Sequence, residues 1–269
     1  MTDLESYFSD VQNKRRRRRT YIALSAFIGT VYALILGIGL LLFRSPLVGV
    51  NDIRIEGATE VAPMQIMDMV LIKMRWPQNR WGFLGFRNIL AWPKQLSGDD
   101  LKLLPSVKDV RIEKSFRKHS VTLSVIERTA VGIWCVMKRE PTTCFWFDQE
   151  GVMFRNTWAA EGSLISVVND YSQGDLGIND VILQKEFIPH LIGILKVLPE
   201  SNVAVKEIKL VDLSLQEVEV STFDGPTIFF SMRFPPSEVV GVLNSLREQP
   251  GLEKLESIDF RVEGRVYYK

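Results

Sequence analysis

KRRRRRTYIALSAFIGTVYALILGIGLLLF, residues 14–43, decides how the rest of the chain is read. Six consecutive cations, residues 14–19, lead into a segment, 21–43, with no charged side chain. As a helix rising ~1.5 Å per residue, these twenty-three residues measure roughly 34 Å, which crosses a hydrocarbon core of ~30 Å with a little tilt. A short polar tail, residues 1–20, precedes the segment, and ordinary mixed composition follows it. The chain therefore reads as a globular ectodomain on one membrane anchor. The positive-inside rule keeps the basic run in the cytoplasm and puts the ectodomain outside, a type II single-pass arrangement. The same arginines would be drawn to anionic lipid headgroups. A cleaved signal peptide over residues 1–46 is the competing reading. The apolar segment is long for such a leader, and LFRSP at 42–46 offers no small-x-small cleavage site. An uncleaved signal anchor is expected.

Net charge is +1 over 269 residues, so without the basic run the remainder is acidic. That removes the electrostatic case for nucleic-acid binding by the ectodomain. About 225 residues past the anchor suit one large or two small domains.

Within the anchor, Ser25, Gly29, Ala33 and Gly37 recur at every fourth position and share one helix face. Such a face allows close approach of another membrane helix, although glycine is common in membrane spans in any case. After it, residues 48–57 read as a strand on Val50, Ile53 and Ile55. Residues 61–74 have helical spacing, with Pro63 in the first turn. Residues 75–95 are irregular and aromatic, with Trp76, Trp81, Phe83, Phe86 and Trp92. This insertion reads as a local mini-core, or else as a surface for the membrane interface or a partner. A short helix at 97–104, with Ser97 as N-cap, and two alternating strands at 107–114 and 119–127 complete a β-α-α-β-β order.

Three stretches carry a family resemblance. They are VNDIRIEG at 50–57, LPSVKDVRI at 104–112 and VTLSVIERTAVGIW at 121–134. In this order, just after a single anchor, they resemble the POTRA domain of the FtsQ/DivIB cell-division family. The matching residues include Val50, Ile53, Ile55, Gly57, Leu104, Pro105, Val107, Val110, Glu127, Arg128 and Trp134. The chain departs from the family at Ser115-Phe116-Arg117-Lys118, which lacks the usual proline, and in its longer aromatic insertion. Farther on, FDQEGVMF at 147–154 is similar to the family's D-x-x-G-x-x-F turn. IDFRVEGRVYY at 258–268 is similar to its closing I-D-x-R-x-x-G-x-V strand.

The expected fold class is thus α+β: an N-terminal membrane helix, a POTRA domain at 48–127, and an antiparallel β-domain with packed helices at 128–269. Strands are expected at 129–137, 143–147, 164–168, 205–213, 216–222 and 227–232, with helices at 179–198 and 235–249.

No metal, P-loop or nucleophile motif is present, and His119 and His190 have no ligand spacing, so neither catalysis nor a cofactor is expected. Cys135 and Cys144 lie equidistant from the turn of one expected hairpin. In that register they would face each other and could form a disulfide; buried free thiols are the alternative. A terminal strand at 257–268, placed at a sheet edge, would offer unpaired N–H and C=O groups to a partner strand. The resemblance implies that this strand binds FtsB- and FtsL-like partners through Val262, Glu263, Gly264, Arg265, Val266, Tyr267 and Tyr268. Arg265 is well placed there to meet acidic partner residues, and other septal membrane proteins are expected to contact the anchor and the POTRA domain. The function implied is a bitopic divisome scaffold, in the inner membrane at the division septum, that helps place and regulate septal peptidoglycan synthesis. The alternatives are a POTRA-bearing envelope chaperone or secretion component, and a membrane-anchored cell-wall enzyme.

Overall fold

The computed structural model of the chain describes residues 2–75, 79–96, 98–138, 140–158, 165–223, 225–248 and 255–269. It is a mixed α+β protein with one N-terminal apolar helix and a large β-sheet. Its contacts gather into two compact units. One holds residues 1–56, 70–96 and 111–124, and the other holds residues 57–69, 97–110 and 125–269.

Helix α1, Thr2–Arg44, is continuous through the tail and the apolar segment. Its segment Arg17–Leu41 is long and apolar enough to cross a membrane. Within it, the hydroxyls of Ser25 and Thr30 donate to the carbonyls of Ile22 and Ala26, so neither is left unpaired. Ser45 then caps a single 3-10 turn, Pro46–Val48. Strand β1 is Asp52–Glu56. Helix α2, Pro63–Met74, buries Ile66, Met69, Val70 and Met74, which is the i, i+3, i+4, i+8 spacing of one helix face. A short α3, Gly98–Leu101, precedes β2, Val107–Ser115, and β3, Ser120–Glu127. These strands form a three-stranded sheet of order β1-β3-β2, with β1 parallel to β3. Val121, Leu123 and Val125 alternate inward along β3. The proposed N-cap Ser97 lies outside the described residues.

The remaining elements are β4 (Gly132–Val136), β5 (Thr143–Phe147), β6 (Met153–Thr157), β7 (Val167–Asp170), α4 (Ile188–Glu200), β8 (Val205–Leu210), β9 (Glu217–Thr222), β10 (Thr227–Ser231), α5 (Val239–Glu248), β11 (Ser257–Val262) and β12 (Arg265–Tyr268). The strands make one nine-stranded sheet, β12-β11-β10-β9-β8-β7-β4-β5-β6. Leu191, Ile194 and Leu198 of α4 and Val239 and Leu243 of α5 share a core with Trp134, Ile208, Val220, Phe230 and Ile258 of the sheet. Each such side chain contributes about 1.5–3 kcal/mol by leaving water.

Three expectations need correction. The β-domain is not purely antiparallel: β4 with β7, β7 with β8, and β10 with β11 run parallel. Parallel neighbours need a long crossover, and α4 and α5 supply two of them, between β7 and β8 and between β10 and β11. The helix expected at 179–198 begins only at Ile188, where Pro189 sets its first turn. Before it, Asn179 has a positive φ of 73°. The amide of Asn179 donates to Met153, and that of Ile182 to Gly151, so this stretch is drawn toward β6 instead of coiling. Finally, the expected single strand at 257–268 is a hairpin, because Glu263 and Gly264 turn the chain and Gly264 sits at φ 67°.

Candidate partner-binding edge

Val262 ends β11, Glu263 and Gly264 form the turn, and Arg265, Val266, Tyr267 and Tyr268 form β12, the outermost strand of the nine. Lys269 continues the ladder, exchanging both backbone bonds with Ser257 at 3.1 and 3.3 Å. Antiparallel pairing alternates, so Tyr267 also points its backbone groups inward, opposite Asp259, while those of Val266 and Tyr268 face the open side. Among the described residues nothing pairs with that side. Cross-strand partners share a face, which puts Tyr268 with buried Ile258 and Tyr267 with Asp259. Val266 packs against the main core.

Beside this edge, on the helix-covered face, lies a cleft of about 400 Å³. Phe234, Pro236 and Val242 line it from the α5 side, and Phe260, Val262 and Val266 from the hairpin. Ser237, Glu238, Glu263 and Arg265 also line it, so an added strand would meet hydrogen-bonding groups along β12 and a recess of mixed apolar and charged lining for alternate side chains. On the opposite face, Arg261 makes a bidentate pair with Asp259, Nε–Oδ1 2.9 Å and Nη2–Oδ2 2.6 Å. It also reaches Glu217 at 2.9 Å and lies 4.9 Å from the centroid of the Phe229 ring. The hydrogen bonds from Arg261 hold the Asp259 carboxyl below its ordinary range, against the opposing effect of burial. Asp259 and Arg261, the "D-x-R" of the closing motif, thus tie β9, β10 and β11 together.

The sheet's other edge is treated differently. The amide of Met153 at the start of β6 donates to Asp180 at 2.9 Å, and its carbonyl accepts from Asn179 at 2.7 Å. Val152 and Val181 form an isolated antiparallel bridge. A loop segment therefore covers the start of β6.

Cys135 and Cys144 sit opposite each other in the β4–β5 register and are bonded, S–S 2.04 Å. His119 lies in the β2–β3 turn at φ 51°. His190 Nδ1–H donates to the Met232 carbonyl at 2.6 Å, a bond within the fold. Trp76 of the aromatic insertion lies outside the described residues. Trp92 is buried with Ile89 and Ala91, whereas Trp81, Phe83 and Phe86 are exposed.

The roles of four polar residues, Glu127, Arg128, Asp148 and Asp170, are not legible in the sequence. Glu127 accepts from the amides of Thr59 (3.0 Å), Glu60 (3.1 Å) and Val61 (2.9 Å) and from the Thr59 hydroxyl. Burial pushes its carboxyl up, but these donors prevail and lower it to about 2. Its neighbour Arg128 pairs with buried Asp148 and donates to the Pro105 carbonyl at 3.1 Å. Asp148 also receives the amides of Glu150 (3.0 Å) and Val152 (2.9 Å), closing the turn of the D-x-x-G motif. Asp170, fully buried, accepts from Trp134 Nε1 at 3.2 Å and from Ser172 and Gln173. The ERT and DQEG motifs were the visible signal, and their charged residues serve structure.

No protein-family model matches the chain, and no curated protein matches it.

Proposed function

We propose that the protein is a bitopic divisome scaffold of the FtsQ/DivIB kind, with a POTRA domain at 48–127 and a partner-binding β-domain at 128–269. In this reading the N-terminus is cytoplasmic, the ectodomain is extracytoplasmic, and the chain works at the septum. It binds FtsB- and FtsL-like partners by strand addition and has no catalytic chemistry of its own. One observation carries the binding role. β12 is an outer strand with no backbone partner on its outer side among the described residues, beside a cleft, while loop chain covers the start of the other outer strand. Natural sheets blunt or cover exposed edges, so an edge left open is a docking template. The resemblance of residues 50–57, 104–112, 121–134 and 258–268 supports the choice of family.

Two measurements test this. A functional fluorescent fusion should form a midcell band in dividing cells; a uniform envelope signal throughout division would sink the septal role. Val266→Pro removes an outward-facing amide and leaves the Tyr267 pairing with β11 in place. It should abolish pull-down of FtsB- and FtsL-like partners without unfolding the domain, as a retained cooperative melting transition would show. Undiminished capture would remove β12 as the docking strand.

A further inference from the structure

The stretch between residues 79 and 92 is built in two layers. Ile89, Ala91 and Trp92 are buried, and Trp92 Nε1 donates to the Phe86 carbonyl at 2.8 Å. Successive one-turn bonds, Gly82 to Asn79, Leu84 to Trp81 and Gly85 to Gly82, then hold the loop outward. This presents Trp81, Phe83 and Phe86, which are 44%, 53% and 50% exposed, to the outside. Trp81 and Phe83 rest 6.3 Å apart, and the Arg87 guanidinium lies 6.0 Å from the Phe86 centroid. Arg80 and Arg87 are exposed among them.

The place where this loop is tied down decides its use. The Val50 amide donates to the Arg87 carbonyl at 2.7 Å, and Gly49 bridges Asn88. The next amide, Asn51, donates to the His119 carbonyl at 2.8 Å. That bond ties in the β2–β3 turn, where Phe116 is exposed beside exposed Arg117 and Lys118. Two aromatic and basic loops are therefore stapled to consecutive residues shortly after the end of α1. From Leu41 to Val50 the path is the last turn of helix, one 3-10 turn and two extended residues, about 20 Å of chain in all. The headgroup zone on one side of a bilayer is itself ~5–8 Å deep. Both loops are thus held within reach of the interface, where Trp rings and arginine-flanked aromatics are most at home. Leu47, 73% exposed in the exit turn itself, has the same character.

We propose that the 80–87 loop, with the 116–118 turn, is a membrane foot that inserts its aromatics at the lipid interface and sets Arg80, Arg87, Arg117 and Lys118 against anionic headgroups. The insertion is then the device that seats the first unit on the bilayer, beyond the tether that α1 provides. This rests on α1 crossing the membrane, and the test separates the two.

Full-length protein in lipid nanodiscs is labelled with an environment-sensitive fluorophore at Phe83→Cys or, separately, at Ile28→Cys in mid-anchor. Emission is recorded with lipids carrying a nitroxide at a shallow or a deep position. The foot predicts a blue-shifted Phe83 label that the shallow nitroxide quenches, more strongly when phosphatidylglycerol is included. Arg80→Glu with Arg87→Glu should remove that lipid dependence. A quenched Ile28 label with an unquenched Phe83 label would overturn the foot and leave the anchor, pointing the aromatics to solvent or to a protein partner. If neither label is quenched, the anchor fails and the foot with it. Near-UV circular dichroism of each variant must match the parent for its result to count, and a second label at Phe86→Cys serves if Phe83→Cys misfolds.

Discussion

The two ends of the nine-stranded sheet differ in how they are finished. At the β4–β5–β6 end, a disulfide joins neighbouring strands, Trp134 and Asp170 bond inside the core, Arg128 and Asp148 close a turn, and loop residues cover the start of β6. At the other end, β12 has four residues, two of them exposed tyrosines, and its outer side has no backbone partner among the described residues. The difference separates stability from recognition. An end crowded with satisfied polar groups and covalent closure is suited to hold the fold, and an end with unspent backbone donors is suited to receive a strand.

The contrast breaks most sharply at Trp134. Its side chain is fully buried, packs edge-on to Phe147 at 6.2 Å, and satisfies Asp170. Trp134→Ala leaves a large cavity and strips a buried carboxylate of a donor, so it should cost about 3–5 kcal/mol in denaturant unfolding. A loss below about 1 kcal/mol would mean that this end is not the stable one. Reduction of Cys135–Cys144 comes next. The bridge closes a loop of sequence separation 9, for which chain entropy gives about 2–3 kcal/mol. Cys135→Ser with Cys144→Ser should lower the melting temperature accordingly, and added reductant should then have no further effect.

A smaller effect, set by pH, tests the carboxylate beside the Arg128–Asp148 pair. Glu127 has its folded-state value depressed from 4.5 to about 2, so its contribution is complete above the unfolded value and is lost as pH falls from about 4.5 toward about 2. Melting temperature should therefore drop through that window, and Glu127→Gln should be destabilised at neutral pH but show a shallower acid slope. An unchanged slope would assign the acid sensitivity to other carboxylates.

What could be read from the chain beforehand follows a physical divide. The long apolar helix is legible because an uncharged run of that length leaves little else for the backbone to form, and so are most strands, because alternation such as Val121, Leu123 and Val125 leaves a period of two. The parallel pairings were harder to see. Register and neighbour order depend on contacts distant in sequence, although a helix between consecutive strands, as at α4 and α5, already favours a crossover. The terminal turn is hidden in the sequence because Val262 and Arg265 continue a strand-like pattern through Glu263, and only Gly264 marks the break. The roles of Glu127, Arg128 and Asp148 were hidden for another reason. A charge gives no sign in sequence of whether it will meet a ligand or its own backbone, and here all three meet the fold. The aromatic insertion divided: Trp92 went inside, and Trp81, Phe83 and Phe86 stayed out.

The smallest expected change in stability is at the open end, where stability and binding should part. Tyr268 is 62% exposed, and its backbone groups face away from β11. Truncation to alanine removes little buried surface, so Tyr268→Ala should shift unfolding by no more than about 0.5 kcal/mol. Binding should respond quite differently. Tyrosines at the centre of an interface commonly cost 2 kcal/mol or more when truncated, roughly a thirtyfold loss of affinity. Titration of the soluble segment of an FtsB-like partner onto the full-length protein in detergent, read beside the melting curve, separates the two quantities. A variant that loses stability and affinity in step would make β12 an ordinary structural strand. One that loses affinity alone would make it a surface kept open for a partner, which no residue at the Cys135–Cys144 end is expected to imitate.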